Sequence, residues 1–250
     1  MTAAKGAARK TKAGREALTP SNPPGLRDIP FELPKVAPEA KRRAARLATA
    51  LAKHYPDAHC ELDYASPHEL LVATILSAQT TDVGVNKATP ALFKKFPTPA
   101  AFAKATPAQI EPYIKTLGFF RSKAKSVREA MKAVAEEHGG KVPQTMDELL
   151  KLRGVARKTA NVVLGNAFGI NDGFVVDTHI QRLAWRFDLV TKAEKDDPKK
   201  IEKKLMALFP RAKWCTLSHQ LIWHGRRACP ARGSAPHTHP ICKTFGVRCP

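Results

Sequence analysis

The stretch from Thr145 to Thr178, TMDELLKLRGVARKTANVVLGNAFGINDGFVVDT, limits this chain more than any other. Two apolar helical runs flank a tight turn at Leu152-Arg153-Gly154-Val155-Ala156-Arg157. Thr145 with Glu148 three residues on forms a capping box, so a helix is expected to start there. Met146, Leu149, Leu150 and Leu152 are expected to share its apolar face. Gly154 can take a backbone conformation that residues with a side-chain carbon resist. A second helix is expected from about Arg157 to Phe168, stopping near Gly169. Such a turn leaves unpaired backbone N–H groups pointing outward at a helix start, which is a ready anion site. Arg157 and Lys158 stand beside it.

The rest of the chain fits a helical protein that meets a polyanion. Its 250 residues carry 42 Lys and Arg against 22 Asp and Glu, a formal net charge of +20 with pI near 10. Nucleic acid is the first partner this charge suggests, with an anionic membrane surface second and a merely basic soluble protein third. No apolar run approaches the roughly 18 residues of a membrane span, and no signal-peptide core is visible. The expectation is a cytoplasmic or nucleoid location. Helix starts are read at Ser66-Pro67-His68-Glu69, Thr98-Pro99 and Thr106-Pro107-Ala108-Gln109. Further helices are read over Ser122–His138, Lys199–Phe209 and Thr216–His224, and no alternating strand or hairpin signal is found. The class is all-α. Residues 1–38 are Pro-rich and basic at the start. They read as a disordered arm; contact with DNA phosphates, an inert tail and an organelle transit peptide all stay open for it.

LRGVARKTANVVL followed by VDTH resembles the helix-hairpin-helix and catalytic segment of endonuclease III, a family of DNA glycosylase/AP lyases whose pattern is close to LPGVGRKTANVVL…VDTH. Arg153 replaces the usual proline and Ala156 the second glycine. The resemblance covers about Glu39 to Pro250. It implies two helical domains flanking a DNA cleft. One is a contiguous six-helix domain with the hairpin, at 60–170; the other combines 39–59 with 171–250. It carries Lys158 onto the Schiff-base lysine and Asp177 onto the catalytic aspartate. Gly154, Ala156 and Arg157 fall on the phosphate-holding turn.

Two more segments carry the resemblance. LLVATILSAQTTDVGVNKA is similar to the family's LLSAQATDVSVNKA, where the glutamine enters the space left by a flipped base; that makes Gln79 the plug. An amide can both donate and accept, so it can replace lost base-pairing contacts. A helix-capping amide is the other reading of Gln79. IKTLGFFRSKA resembles IKTIGLYNSKA, which puts Phe119 where the family wedges a leucine into the duplex. Aromatic side chains wedge or stack on bases. Two adjacent Phe residues in a Gly turn cannot easily both be buried, so one is expected to face a cleft.

The implied chemistry is attack of a lysine amine on the sugar C1′, followed by an imine that permits β-elimination. The amine must be neutral when it attacks, and partial burial, the helix start and Arg157 are each expected to favour that form. Asp177 follows the apolar run Phe174-Val175-Val176. Its anion is expected to stabilise positive charge on the sugar, and an N-cap role is compatible with that. The implied substrate is double-stranded DNA with an oxidised pyrimidine or abasic site, met by a monomer.

Three of the five cysteines, Cys229, Cys242 and Cys249, lie near the end of the chain. An odd count clustered in this way fits a metal or cluster site better than a disulfide framework. GRRAC at 225–229 resembles the family's entry into a [4Fe–4S] loop, but Pro236 stands where the second cysteine falls. His239 or His237 would then complete the ligand set. An iron–sulfur cluster, no cluster, and a Cys3His zinc site all stay open. The rival functions are a monofunctional glycosylase of the same fold and a non-catalytic helix-hairpin-helix DNA-binding module.

Overall fold

The computed structural model describes residues 29–232 and 238–249, and every regular element among them is helical. Pro236 and His237 lie outside the described residues. Two hydrophobic cores organise the chain.

The first core is built around α2 (Pro67–Leu76). Leu70 to Leu76 are all buried, so this helix is covered on every side by its neighbours. Around it stand α3 (Asp82–Lys95), α4 (Pro99–Lys104), α5 (Pro107–Ile114), α6 (Phe120–Glu136), α7 (Met146–Lys151) and α8 (Arg157–Phe168). Packing runs α4 and α5 on α6, α2 on both α6 and α8, and α7 on α8. Seven helices thus occupy the span for which the resemblance implies six, and two of them, α4 and α7, are only six residues long.

The starts follow local chemistry. Ser66, Thr98 and Thr145 each accept a backbone N–H of their own helix through the side-chain oxygen. Thr106 and Gln109 make a full capping box, and Pro occupies the first turn of α2, α4 and α5. Pro90 and Pro112 sit within α3 and α5, which breaks the sequence pattern there. In α7, Met146 and Leu149 are buried with Leu152 just past its end, but Leu150 is 43% exposed. The expectation that all four share a face is corrected: α7 ends at Lys151, and a spacing of three, not four, meets the core.

The second core gathers α1 (Pro38–His54), α9 (Thr178–Arg186), α10 (Pro198–Leu208), α11 (Trp214–Arg227) and α12 (Pro240–Phe245), with a 3-10 turn at Arg211–Lys213. α11 contacts α1, α9 and α8, so it joins the two cores. The disordered-arm reading needs correction at its end. Ile29, Phe31, Leu33 and Val36 pack against the second core, an apolar pattern hidden in sequence by the prolines between them. Residues 1–28 lie outside the described part. Among the described residues, no helix is long and apolar enough to cross a membrane.

Candidate active site and metal centre

Gly154 sits at φ +80, and a Cβ there would meet Ser126 of α6 at 3.0 Å and Ile75 of α2 at 3.5 Å. Only a glycine both takes that conformation easily and fits the space. The turn is thereby pressed onto α2 and α6. Ala156 is the extended N-cap of α8 and supplies no side-chain acceptor, so the first N–H groups of α8 have no side-chain cap. Lys158 lies in this first turn and is exposed. The partial burial expected of it is absent, because α8 turns its apolar residues Ala160, Val163 and Leu164 inward and its first-turn lysine outward.

Arg157 is placed differently from the phosphate contact expected of it. Its Nε donates to both carboxylate oxygens of Glu202, at 2.9 and 2.8 Å, and Asn161 Nδ2 donates to the same carboxylate at 2.9 Å. The Glu202 side chain is 8% exposed and comes from α10 of the second core. The Arg157 guanidinium also lies 5.3 Å from the centre of the Phe31 ring. Gly173 passes directly beneath this network, where a Cβ would fall 2.2 Å from Glu202 Oε1. The network therefore holds the segment leading to Asp177 against the start of α8. Asp177 is the N-cap of α9, half-buried, and its Oδ1 accepts from Ile180 N at 2.8 Å. His179 beside it is held below the ordinary histidine range, chiefly by burial.

Gln79 and Phe119 share an unusual backbone state. Their φ angles are +51 and +58, and with Asp188 they are the non-glycine residues at positive φ among those described. Both are exposed, Phe119 at 68%; Phe120 packs instead against the first core. Lys123 links the two loops. Its Nζ donates to Thr80 Oγ1 at 2.6 Å, next to Gln79, and its backbone N–H donates to Phe119 O at 3.0 Å. The residue is 5% exposed, and burial pulls its ammonium below the ordinary lysine range. Sequence reasoning missed Lys123. The signal was its place on the apolar stripe of α6, in line with Val127, Ala130, Met131 and Val134. Arg226 of α11 pairs with Glu61 and, at 2.7 Å, with Asp82 in the first turn of α3. The Gln79 loop is so tied to the second core as well.

The cysteines converge. Cys229 and Cys242 are buried, and Cys229 Sγ lies 3.9 Å from Cys249 Sγ. His224 of α11 is fully buried with Nε2 3.3 Å from Cys242 Sγ, and its Nδ1 is 2.9 Å from Tyr55 Oη. His224, Cys229 and Cys242 present donor atoms within 4.8 Å of one another. His224 was not among the sequence candidates, although it precedes Cys229 by only five positions. His239 was a candidate, and it is used otherwise. Its Nδ1 accepts from Ile241 N at 3.2 Å as the N-cap of α12, while Nε2 faces Tyr55 Oη at 3.5 Å. Arg186, 8% exposed, donates to Cys229 Sγ at 2.9 Å and to the carbonyls of Cys229 and Pro230. Hydrogen bonds from Cys242 and Arg186 hold Cys229 toward the thiolate, while Cys242 is raised. Cys60 is buried in the first core, and burial pushes the Cys215 thiol up to about 12.

Residues 72–211 match the model of the HhH-GPD superfamily of base excision DNA repair proteins. The chain is 53% identical over 202 residues to endonuclease III of Synechocystis sp., covering 81% of this chain and 88% of that one. It is 42% identical over 178 residues to endonuclease III of Bacillus subtilis, covering 71% and 80%. A solved structure described as a trapped endonuclease III–DNA covalent intermediate superposes with a TM-score of 0.78 at 37% identity, over 83% of this chain and 95% of that one. A thermostable thymine-DNA glycosylase shares the fold, at 22% identity and a TM-score of 0.69.

Proposed function

The chain belongs to the endonuclease III family within the HhH-GPD superfamily of base excision DNA repair proteins, and from that premise we propose how its own side chains divide the work of a DNA glycosylase and AP lyase. The observation that carries the reading is the arrangement of three loops on two helices. The Gly154 turn, the Gln79 loop and the Phe119 turn all hang on α2 and α6, with Lys158 exposed at the first turn of α8.

In this reading the uncapped N–H groups of α8 grip a phosphate. Gln79 fills the space left by the extruded nucleotide, and Phe119 wedges into the stack from the other side. Both are exposed and both hold a strained backbone, a combination common at functional sites. Lys158, as the free amine, attacks C1′ of the sugar. The C1′–N bond breaks, and the base leaves with that electron pair and takes up a proton. Loss of a proton from nitrogen and opening of the ring give an imine. Removal of the C2′ proton then expels the 3′ phosphate. The Asp177 carboxylate stabilises positive charge building on the sugar and assists these proton transfers. Its capping bond from Ile180 N fixes its aim and leaves the second oxygen for this task. A solved relative trapped as a covalent intermediate with DNA supports the same class of step here. We further propose oxidised pyrimidines as the bases removed, two domains meeting at the cleft, and a monomer as the working form. The bond-making and bond-breaking steps above are assigned to the side chains of Lys158 and Asp177.

Borohydride trapping on DNA with an abasic site tests the assignment. Lys158→Gln is expected to abolish the covalent adduct while leaving the fold unchanged, since the side chain is exposed. An adduct that persists in this variant overturns the role of Lys158. Asp177→Asn keeps a good N-cap residue, so DNA binding is expected to stay within about twofold while base release slows by roughly 100-fold or more. Parallel loss of both would assign Asp177 to binding alone.

A further inference from the structure

We propose that the C-terminal centre of this chain holds a single tetrahedral metal ion, zinc, bound by Cys229, Cys242, Cys249 and His224, rather than the four-iron cluster that the family resemblance implies. The inference does not rest on the roles given to Lys158 and Asp177.

The donor set comes first. Among the described residues, three thiols and two imidazoles surround this point, and the imidazoles differ in what they can offer. His239 already uses Nδ1 to cap α12, and its Nε2 faces the Tyr55 hydroxyl. His224 points Nε2 at Cys242 Sγ with Tyr55 Oη behind Nδ1. A metal on Nε2 needs the ring proton on Nδ1, and Tyr55 Oη is the acceptor that proton requires. His224 is thus oriented as a ligand, and His239 as a cap.

Spacing comes second. Zn–S bonds of about 2.3 Å and Zn–N bonds of about 2.0–2.1 Å at tetrahedral angles place sulfurs about 3.8 Å apart and sulfur and nitrogen about 3.5 Å apart. Two of the observed separations match, 3.9 Å for Cys229 to Cys249 and 3.3 Å for His224 to Cys242; His224, Cys229 and Cys242 lie within 4.8 Å of one another, and Cys249 joins that trio through Cys229. A cubane binds each ligand to a different iron and holds the ligand atoms much further apart. Cys249 reaches this short range because Gly246 lets the chain fold back over α12. A Cβ at 246 would fall 2.4 Å from Cys242 O and 2.6 Å from Cys249 Sγ.

The surroundings come third. Cys229, Cys242 and His224 are at most 2% exposed and Cys249 is half-buried, so three of the four donors are shut away from solvent. Arg186 places a guanidinium on Cys229 Sγ and so offsets the excess charge of three thiolates on a divalent ion. Such a site is closed, with no open coordination position, as structural zinc sites are. It would staple the C-terminal segment to α11, the helix that joins the two cores.

The full chain, purified without oxygen, is analysed for metals and acid-labile sulfide. A single zinc ion and no sulfide are expected. Iron and sulfide in roughly equal amounts, near four of each per chain, overturn the proposal; so does a chain that takes up no zinc from an anaerobic zinc solution. Cobalt exchange then reads the ligands. The wild type and His239→Gln should both show the intense visible bands of a tetrahedral thiolate site. His224→Gln should lose them or its metal, and His224→Cys should keep the metal with bands shifted by the added sulfur. If His239→Gln loses the bands and His224→Cys leaves them unshifted, the assignment of His224 is wrong. Normal zinc with no borohydride adduct would leave this inference standing and remove the lyase reading.

Discussion

Phe119 holds a left-handed backbone that costs an L side chain about 1–2 kcal/mol, and it does so with its ring 68% in solvent. Nothing in the core repays that cost. Asn tolerates the same conformation through its short polar side chain. Phe119→Asn is therefore expected to leave stability equal or raise it by up to about 1 kcal/mol, and to weaken binding to duplex DNA several-fold. Urea unfolding and an affinity titration at one salt concentration check the pair of outcomes; a variant that is both less stable and equally good at binding would make Phe119 an ordinary packing residue. Gln79 sits in the same state, one residue from the Thr80 hydroxyl that Lys123 holds. The resemblance alone singles out Gln79 as the proposed plug and Phe119 as the proposed wedge. It does not show their strain, since φ depends on the packing of the helices on either side. Nor does local pattern mark Lys123, since a lysine on an apolar helix stripe runs against the usual polarity of the interior.

At the scale of elements, the tie between α8 and α10 decides how the two cores meet. Glu202 is buried and receives Arg157 and Asn161. Removing its charge would leave a partly buried guanidinium without its anion, so Glu202→Gln is expected to cost roughly 2–4 kcal/mol of stability. Gly173→Ala pushes a methyl into the same carboxylate and is expected to cost a similar amount. Since both act on one network, the double variant should lose clearly less than the sum. Additive losses in chemical denaturation would show that Gly173 and Glu202 act separately. The resemblance puts Arg157 on the phosphate-holding turn, whereas the structure pairs it with Glu202. Its partner lies 45 residues away on another helix, and no local pattern announces it.

Across the whole molecule, stability is expected to respond to acid through the joint between the cores. His219 of α11 hydrogen-bonds Asn166 of α8 through Nε2 at 2.8 Å, and burial lowers its pKa to about 4. The unfolded chain binds a proton at this residue near pH 6.5, while the folded one resists it until about pH 4. This contribution is therefore fully present above pH 6.5 and is lost as pH falls toward 4, on the order of 3 kcal/mol. Unfolding free energies measured between pH 7 and 4.5 should show that slope in the wild type and a much shallower one in His219→Gln. An unchanged slope in the variant would move the acid sensitivity elsewhere.

The sequence by itself determined most of the helices. Thr98, Thr106 and Thr145 cap the turns that follow them, and Gly169 ends α8, because these bonds close within three or four residues. It also determined the chemistry on offer: a lysine in the first turn after a glycine-bearing hairpin and a net charge of +20 suited to a polyanion. Tertiary structure alone decided which groups are free and which are taken. It gave Arg157 to Glu202, seated Phe31 against that pair, turned His239 into a helix cap and brought His224 to the thiols. The physical reason is distance along the chain. A cap is written in neighbouring residues, whereas an ion pair or a donor cluster is assembled from helices that meet only when both cores have packed.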